Sequence, residues 1–439
     1  MIKYKKGTLL FLLALLLLPF EAIKGILPST YRPISIYPLA IIFIFAACKK
    51  LFHPKMDKVL FKYIVFCVYC LFSTYIITWY KFENFRNTKG FIVTFIMGII
   101  TFISCDYSFS IIKKGISNDD YILYVFKIIG NMYFVAIFIG IIELLSILNI
   151  LPLSIKSSIN NLLGAGQLTR VCMGSSEASW LSMHLLIMMP IYIYLHKVTR
   201  EKKYMVAFVI ITAIFIFNVS GQGIITLLIS FAIYIIINMA KKNNVNTLIK
   251  NFVLIIIAVV SAFLIFKFVI DLMPNTYYTA RLKNFTSISS LIRSDASSFI
   301  RIVYPILNFK IFLDYPILGI GGGNFSFLFS EYLYKFYPWA VTSYGEVAAH
   351  VSANDASTYC FYTRLLSEFG IIGVILFINF VSAITKKFKR YKINNNRNIL
   401  LFIFILTFAI LVQFDSFTYV PFWLMLAFYN NFEDEKETI

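Results

Sequence analysis

The chain has 439 residues, of which 59% are hydrophobic and 14% charged, with a mean hydropathy of +0.80. A water-facing surface alone would need about twice that charge, so a soluble globule is excluded and a polytopic membrane protein is required. The formal net charge of +19 comes from Lys and Arg dispersed between apolar stretches. No basic patch accompanies a groove-reading element, so the charge points to anionic lipid headgroups and not to nucleic acid.

Apolar runs long enough to cross a hydrocarbon core of about 30 Å mark the membrane spans. In chain order they are 7–27, 33–48, 59–80, 90–105, 121–151, 180–196, 204–219, 222–239 and 250–273, then 369–385, 398–414 and 416–430. The basic Met1–Lys6 stretch ahead of the first span resembles a signal peptide, but Glu21 and Lys24 stand where a small-residue cleavage site would follow. The first span is therefore read as uncleaved. The run 121–151 is long enough to tilt, and the last pair turns tightly at Gln413–Ser416. A count of eleven would move the C-terminus to the opposite side.

Between the ninth and tenth spans lies the longest polar stretch, 274–368, rich in Arg, Gly and aromatic residues. The expected fold class is thus an all-α polytopic membrane protein of about twelve transmembrane helices with one large loop subdomain. Residues 1–273 supply spans one to nine, 274–368 the loop with amphipathic helices, and 369–439 the last three spans and a tail. Within the loop, Ile302, Ile306, Phe309 and Leu313 fall near helical spacing, with Arg301 on another face. This spacing predicts a partly interfacial amphipathic helix over 298–312.

Orientation follows from the basic residues, which stay on the cytoplasmic side. Placing the N-terminus inside gathers Lys49, Lys50, Lys113, Lys114, Lys197, Lys202, Lys203, Lys386, Lys387 and Arg390 in cytoplasmic segments and leaves few basic residues in the short outer loops. Both termini are expected to be cytoplasmic and the long loop periplasmic, in a bacterial inner membrane. Cys67 and Cys70 lie at membrane depth and read as packing, while Cys172 and Cys360 fall in outer loops. The four histidines are far apart, so no metal is expected. Lys127, Glu143, His184 and Lys267 lie within spans and need a partner or a wet cleft.

Three local patterns carry a resemblance. Ser298-Phe-Ile-Arg301 followed by Asp314-Tyr-Pro316-Ile-Leu-Gly319-Ile-Gly321-Gly-Gly323-Asn-Phe325 resembles the "R…P-x-x-G-x-G-x-x-x-F" stretch of the bacterial O-antigen polymerase (Wzy) and ligase family. Tyr362-Thr-Arg364-Leu-Leu-Ser-Glu368-Phe-Gly370-Ile-Ile-Gly373 is similar to that family's "L-x-E-x-G-x-x-G" entry into the span after its large loop. Upstream, Arg170-x-x-x-Gly174-x-x-Glu177-Ala178 resembles its "R-x-x-G…E/N" segment. The matches fall in order across 170–373. Two departures stand out: Tyr359 and Cys360 occupy the places of a common His-Asn pair, and Ser220-Gly-Gln-Gly223 lacks the usual basic residue. The first favours the polymerase branch.

The resemblance implies a GT-C-like glycosyltransferase of lipopolysaccharide biosynthesis, without a cofactor. It would pass a growing glycan from undecaprenyl pyrophosphate to a new lipid-linked repeat unit at the periplasmic face, with membrane lipids and a chain-length regulator as the implied partners. The same donor serves the ligase, which transfers to lipid A core; a flippase or other transporter is the non-enzyme alternative. Breaking a bond to a lipid pyrophosphate leaves added negative charge, which arginine forks meet well. Arg170, Arg281, Arg293, Arg301 and Arg364 supply them on the expected outer side. The acceptor hydroxyl needs a base, for which His350, Glu177, Glu368 and Asp355 are candidates. The glycine run at Gly319 and Gly321 is either a phosphate cradle or a tight turn letting the chain pass close to a neighbour.

Overall fold

Backbone groups in hydrocarbon must all be paired, which a helix achieves within its own segment, and helix is the regular structure of the described residues. The structure is a computed structural model that describes residues 6–21, 33–52, 57–164, 167–218, 220–240, 292–293, 296–391 and 397–433. The expected span 250–273, with Lys267, and Arg281 lie outside them.

The helices are α1 Lys6–Leu16, α2 Ile36–Phe52, α3 Lys58–Ile77, α4 Arg86–Lys113, α5 Asn118–Ile147, α6 Leu153–Leu163, α7 Ala178–Thr199, α8 Lys202–Asn218 and α9 Gly221–Ala240. There follow α10 Ala296–Asp314, α11 Phe325–Phe336, α12 Trp339–Ser343, α13 Gly345–Ala353, α14 Phe361–Arg390, α15 Arg397–Ala409 and α16 Val420–Asn430. Seven described helices, namely α3 with its following turn, α4, α5, α7, α9, α10 and α14, are long and apolar enough to cross a membrane, and α2, α15 and α16 are shorter apolar helices. The expected first span is helical only to Leu16, so Glu21 lies beyond the helix end, where its N–H donates to the Gly174 carbonyl. The short amphipathic α6 was not foreseen.

At the centre stands α16, apolar on all sides and buried at every residue, as a helix without a polar face must be. Around it α4 packs against α2 and α16, α3 against α14, α7 against α8, and α9 against α15. The two polar ends hold different sets of charged residues. At one end Lys387 pairs with Asp57 at 3.0 Å, Lys113 with Glu433 at 3.0 Å, and Tyr391 hydrogen-bonds Asp119. At the other end, called here the loop end, lie the close of α3, the start of α7, and residues 315–360.

The loop subdomain has its own hydrophobic cluster, built on Phe299, Val303, Tyr304, Leu307, Phe329 and Leu333. The inward face of α10 therefore differs from the expected stripe: Ile306, Phe309 and Leu313 are 38%, 45% and 59% exposed. Both faces of α10 are apolar, so periodicity did not distinguish the face that packs. Although α10 is long enough to cross a membrane, both its ends dock at the loop end. Arg301 meets the start of α7, and Tyr315, just past Asp314, lies 3.4 Å from Lys81 Nζ across its ring. The helix thus lies across that end of the bundle.

Candidate functional site

The segment 168–177 is fixed from below by two buried charges. Lys156 Nζ donates to the carbonyls of Leu168 and Arg170 at 2.7 and 2.6 Å. Glu143 Oε2 accepts from the N–H groups of Cys172 and Met173 at 2.6 and 3.1 Å. Glu143, flagged in the sequence as a costly intramembrane charge, has its partner here. Lys127 likewise lies 3.8 Å from Glu201. Arg170 Nε donates to the Asn218 carbonyl at 2.9 Å, and Asn218 Nδ2 donates to the Ala178 carbonyl at 2.6 Å, which ties Arg170 to the start of α7 beside Glu177.

Across from this segment stands Arg301. Its Nη1 donates to Ser297 Oγ one turn back, its Nη2 lies 4.0 Å from Glu177 Oε2, and its buried Nε has no hydrogen-bond partner. The guanidinium is 22% exposed and the Glu177 carboxylate 45%, so both are reachable from solvent. A separation of 4.0 Å exceeds hydrogen-bond length, and the pair is a loose one.

Next to Arg301 is Tyr359, held in the left-handed region at φ 56°, a conformation a bulky residue adopts only when its surroundings enforce it. The enforcement comes from Asp415. Its Oδ2 accepts from Ser357 Oγ, Thr358 N, Thr358 Oγ1 and Tyr359 N at 2.7, 2.9, 2.6 and 3.0 Å. Burial raises the Asp415 carboxyl, but the Arg364 charge and these donors outweigh it and hold the group below the usual carboxylate range. Burial and then the Asp415 charge push the Tyr359 phenol up, against the lowering pull of Arg301. The Tyr359 ring meets Tyr304 edge-on at 5.8 Å, and the Tyr304 hydroxyl lies 2.9 Å from His350 Nδ1. Arg301, Glu177, Tyr359, Tyr304 and His350 thus form one cluster, with Glu346 and Asp355 close enough to act on Tyr304 electrostatically.

Other site candidates are placed differently. Arg364 is spent internally: its Nε pairs with Glu368 Oε2 at 2.9 Å, its Nη1 donates to the Asp415 carbonyl at 2.9 Å, and its guanidinium lies over the Phe91 and Phe417 rings. Glu368 is correspondingly buried and occupied, since its Oε1 accepts from Gly323 N at 2.9 Å. Arg293 is exposed and stacks on Trp339.

The glycine run does not serve as an anion cradle. Gly319 N donates to the Tyr315 carbonyl, Ile320 N to Ser367, Gly321 N to Glu368, Gly322 N to Thr74 Oγ1 and Gly323 N to Glu368 Oε1. With every amide of 319–323 taken, none is left for a phosphate. A Cβ on Gly319 would come within 2.5 Å of the Glu368 backbone, so the run is a docking turn pressed against α14. The two motifs read apart in the sequence, 314–325 and 362–373, are one contact.

Asp415 was missed by the sequence reading. Its signal was present, a lone acid at the turn between two apolar spans, which by default marks a functional or structural centre. Cys172 and Cys360 are both free. Fold and cluster together define a helical membrane protein with a charged, tyrosine-lined group at the loop end of its bundle. No protein-family model, curated protein or solved structure matches the chain.

Proposed function

We propose that this protein is a membrane glycosyltransferase that polymerises a lipid-linked glycan, moving the growing chain from its undecaprenyl pyrophosphate carrier to a new lipid-linked repeat unit. The observation that carries the reading is the convergence of Arg301, Glu177 and the Tyr304–His350 pair, drawn from three segments far apart in the sequence, at one end of a membrane bundle. Arg301 suits the departing diphosphate. Its contact with Glu177 is loose, so its Nη2 retains donor capacity for phosphate oxygens. Glu177, exposed beside it, or His350, coupled to a phenol, takes the proton of the acceptor hydroxyl. Arg364 and Glu368 act as positioning groups: their pair braces the glycine turn and, through Asp415, the strained Tyr359.

Removing a group that meets developing charge costs about a hundred- to a thousand-fold in rate. In cells carrying Arg301→Ala, the protein should insert at normal levels and the surface glycan should shorten to single repeats on gels; Arg301→Lys should recover little, because an ammonium lacks the fork. Normal chain lengths with Arg301→Ala overturn the assignment. Long glycans retained on the lipid carrier would point to the ligase reaction instead.

A further inference from the structure

A second polar group lies buried beneath the segment 174–177 and takes no part in the cluster above. Glu21 is fully buried; its Oε2 accepts from Ser176 N at 2.8 Å, while its Oε1 has no partner. Facing Oε1 at 4.0 Å is His184 Nε2, on a side chain 2% exposed and also without a partner. The Tyr133 hydroxyl is buried and unpartnered as well, and close enough to Glu21 to act on it electrostatically. The hydroxyls of Ser175 and Ser176, beside the same carboxyl, complete the group. His184 and Tyr133 also line a small cavity closed by Leu18, Ile129, Met188 and Pro421.

Each buried polar atom left unsatisfied costs about 1–3 kcal/mol, so three converging from three elements mark a place made for an occupant. The 4.0 Å gap is too long for a direct hydrogen bond and can be closed by a single internal water. The occupant must also answer the carboxyl's charge. The groups facing Glu21 are Glu177 from the overlying segment, His184 from α7, Tyr133 from α5 and Tyr419 from the turn before α16. Among the described residues no Lys or Arg pairs with it. One carboxyl without a cation calls for a single positive charge. An imidazole nitrogen in the set selects a proton over a hard metal ion, which would take oxygen donors throughout.

We propose that Glu21, His184 and Tyr133 form a buried proton-binding site, in which the Glu21 carboxyl carries the proton and one internal water links it to the imidazole and the phenol. Deprotonation breaks the carboxyl O–H bond and releases the proton to solvent, leaving a carboxylate beneath Ser176 and Glu177. Burial, opposed by the Ser176 amide and aided by Glu177, pushes the carboxyl up to about 8. The site stands whether or not the protein transfers sugars.

The test is infrared titration of the purified full-length protein in lipid discs, from about pH 6 to about pH 10, across the range where a raised carboxyl would ionise. A protonated-carboxyl band should disappear with a midpoint near 8 in the wild type and be missing in Glu21→Gln. If Glu21→Gln fails to assemble, Tyr133→Phe, which deletes one hydroxyl, must shift the midpoint. No band lost with Glu21→Gln, no shift with Tyr133→Phe, or a midpoint that follows sodium concentration at fixed pH each overturns the proposal.

Discussion

At the scale of single residues, Asp415 shows how a side chain far from any motif can set a site. One of its oxygens holds Ser357, Thr358 and Tyr359, and its backbone carbonyl holds Arg364. Replacing it with Asn leaves the volume and the carbonyl but removes the charge that these donors meet, which should lower stability by about 2 kcal/mol. Because the folded carboxyl lies below its unfolded value of about 3.9, its contribution is present above that pH and fades as pH falls through the folded value. Thermal melting of the wild type should therefore drop on the acid side of about pH 4, and Asp415→Asn should flatten part of that drop; identical acid profiles would remove Asp415 from this role. Residue-level chemistry was half legible in the sequence. Arg301 and Glu177, taken from two separate motifs, lie 4.0 Å apart in the structure, whereas Arg364 and Glu368, four apart on a helix, were read as separate site groups although that spacing makes them an internal pair.

Among the elements, the break in α14 matters most. Gly370 adopts φ 60°, ψ −167°, a region essentially closed to residues with a Cβ. An added Cβ would also lie 2.2 Å from the Ile317 carbonyl oxygen. The break frees the backbone on both sides to receive the glycine turn, with Ile371 N donating to Pro316 and Gly321 N to the Glu368 carbonyl. Gly370→Ala should cost at least roughly 3 kcal/mol and undock the turn, read as a lower melting temperature and faster protease cleavage within 315–323. Gly345→Ala, where nothing lies within 4 Å of the new Cβ, should be silent in both assays, and a silent Gly370→Ala would mean that the turn docks without the break. Hydropathy placed α3, α5, α7 and α9 within a few residues of their observed ends, since length and apolarity are what hydrocarbon selects, but it stopped short on α4 and α14 and read α10 as a loop helix. It missed the packing face of α10, because Ile306, Phe309 and Leu313 on the exposed face are as apolar as Val303, Leu307 and Ile311 on the buried one.

For the whole molecule, the separation of the two ends gives the orientation a sharp consequence. The end that holds the Lys387–Asp57 and Lys113–Glu433 pairs also carries Lys114, Lys386 and Lys389, while the loop end carries the Arg301 cluster. Lysine-rich segments stay on the cytoplasmic side because translocating them is unfavourable, so the loop end is predicted to face outward. The proposed function depends on this, since the lipid carrier it invokes on the outer leaflet would meet Arg301 only there. In a Cys48→Ser background, which removes the exposed native thiol, a cysteine at exposed Ser352 should react with a membrane-impermeant maleimide in spheroplasts. One at exposed Lys389 should react only after the membrane is opened. The reverse pattern would place the Arg301 cluster in the cytoplasm, out of reach of a donor already moved across the membrane, and would remove the polymerase reading even if Arg301→Ala altered growth.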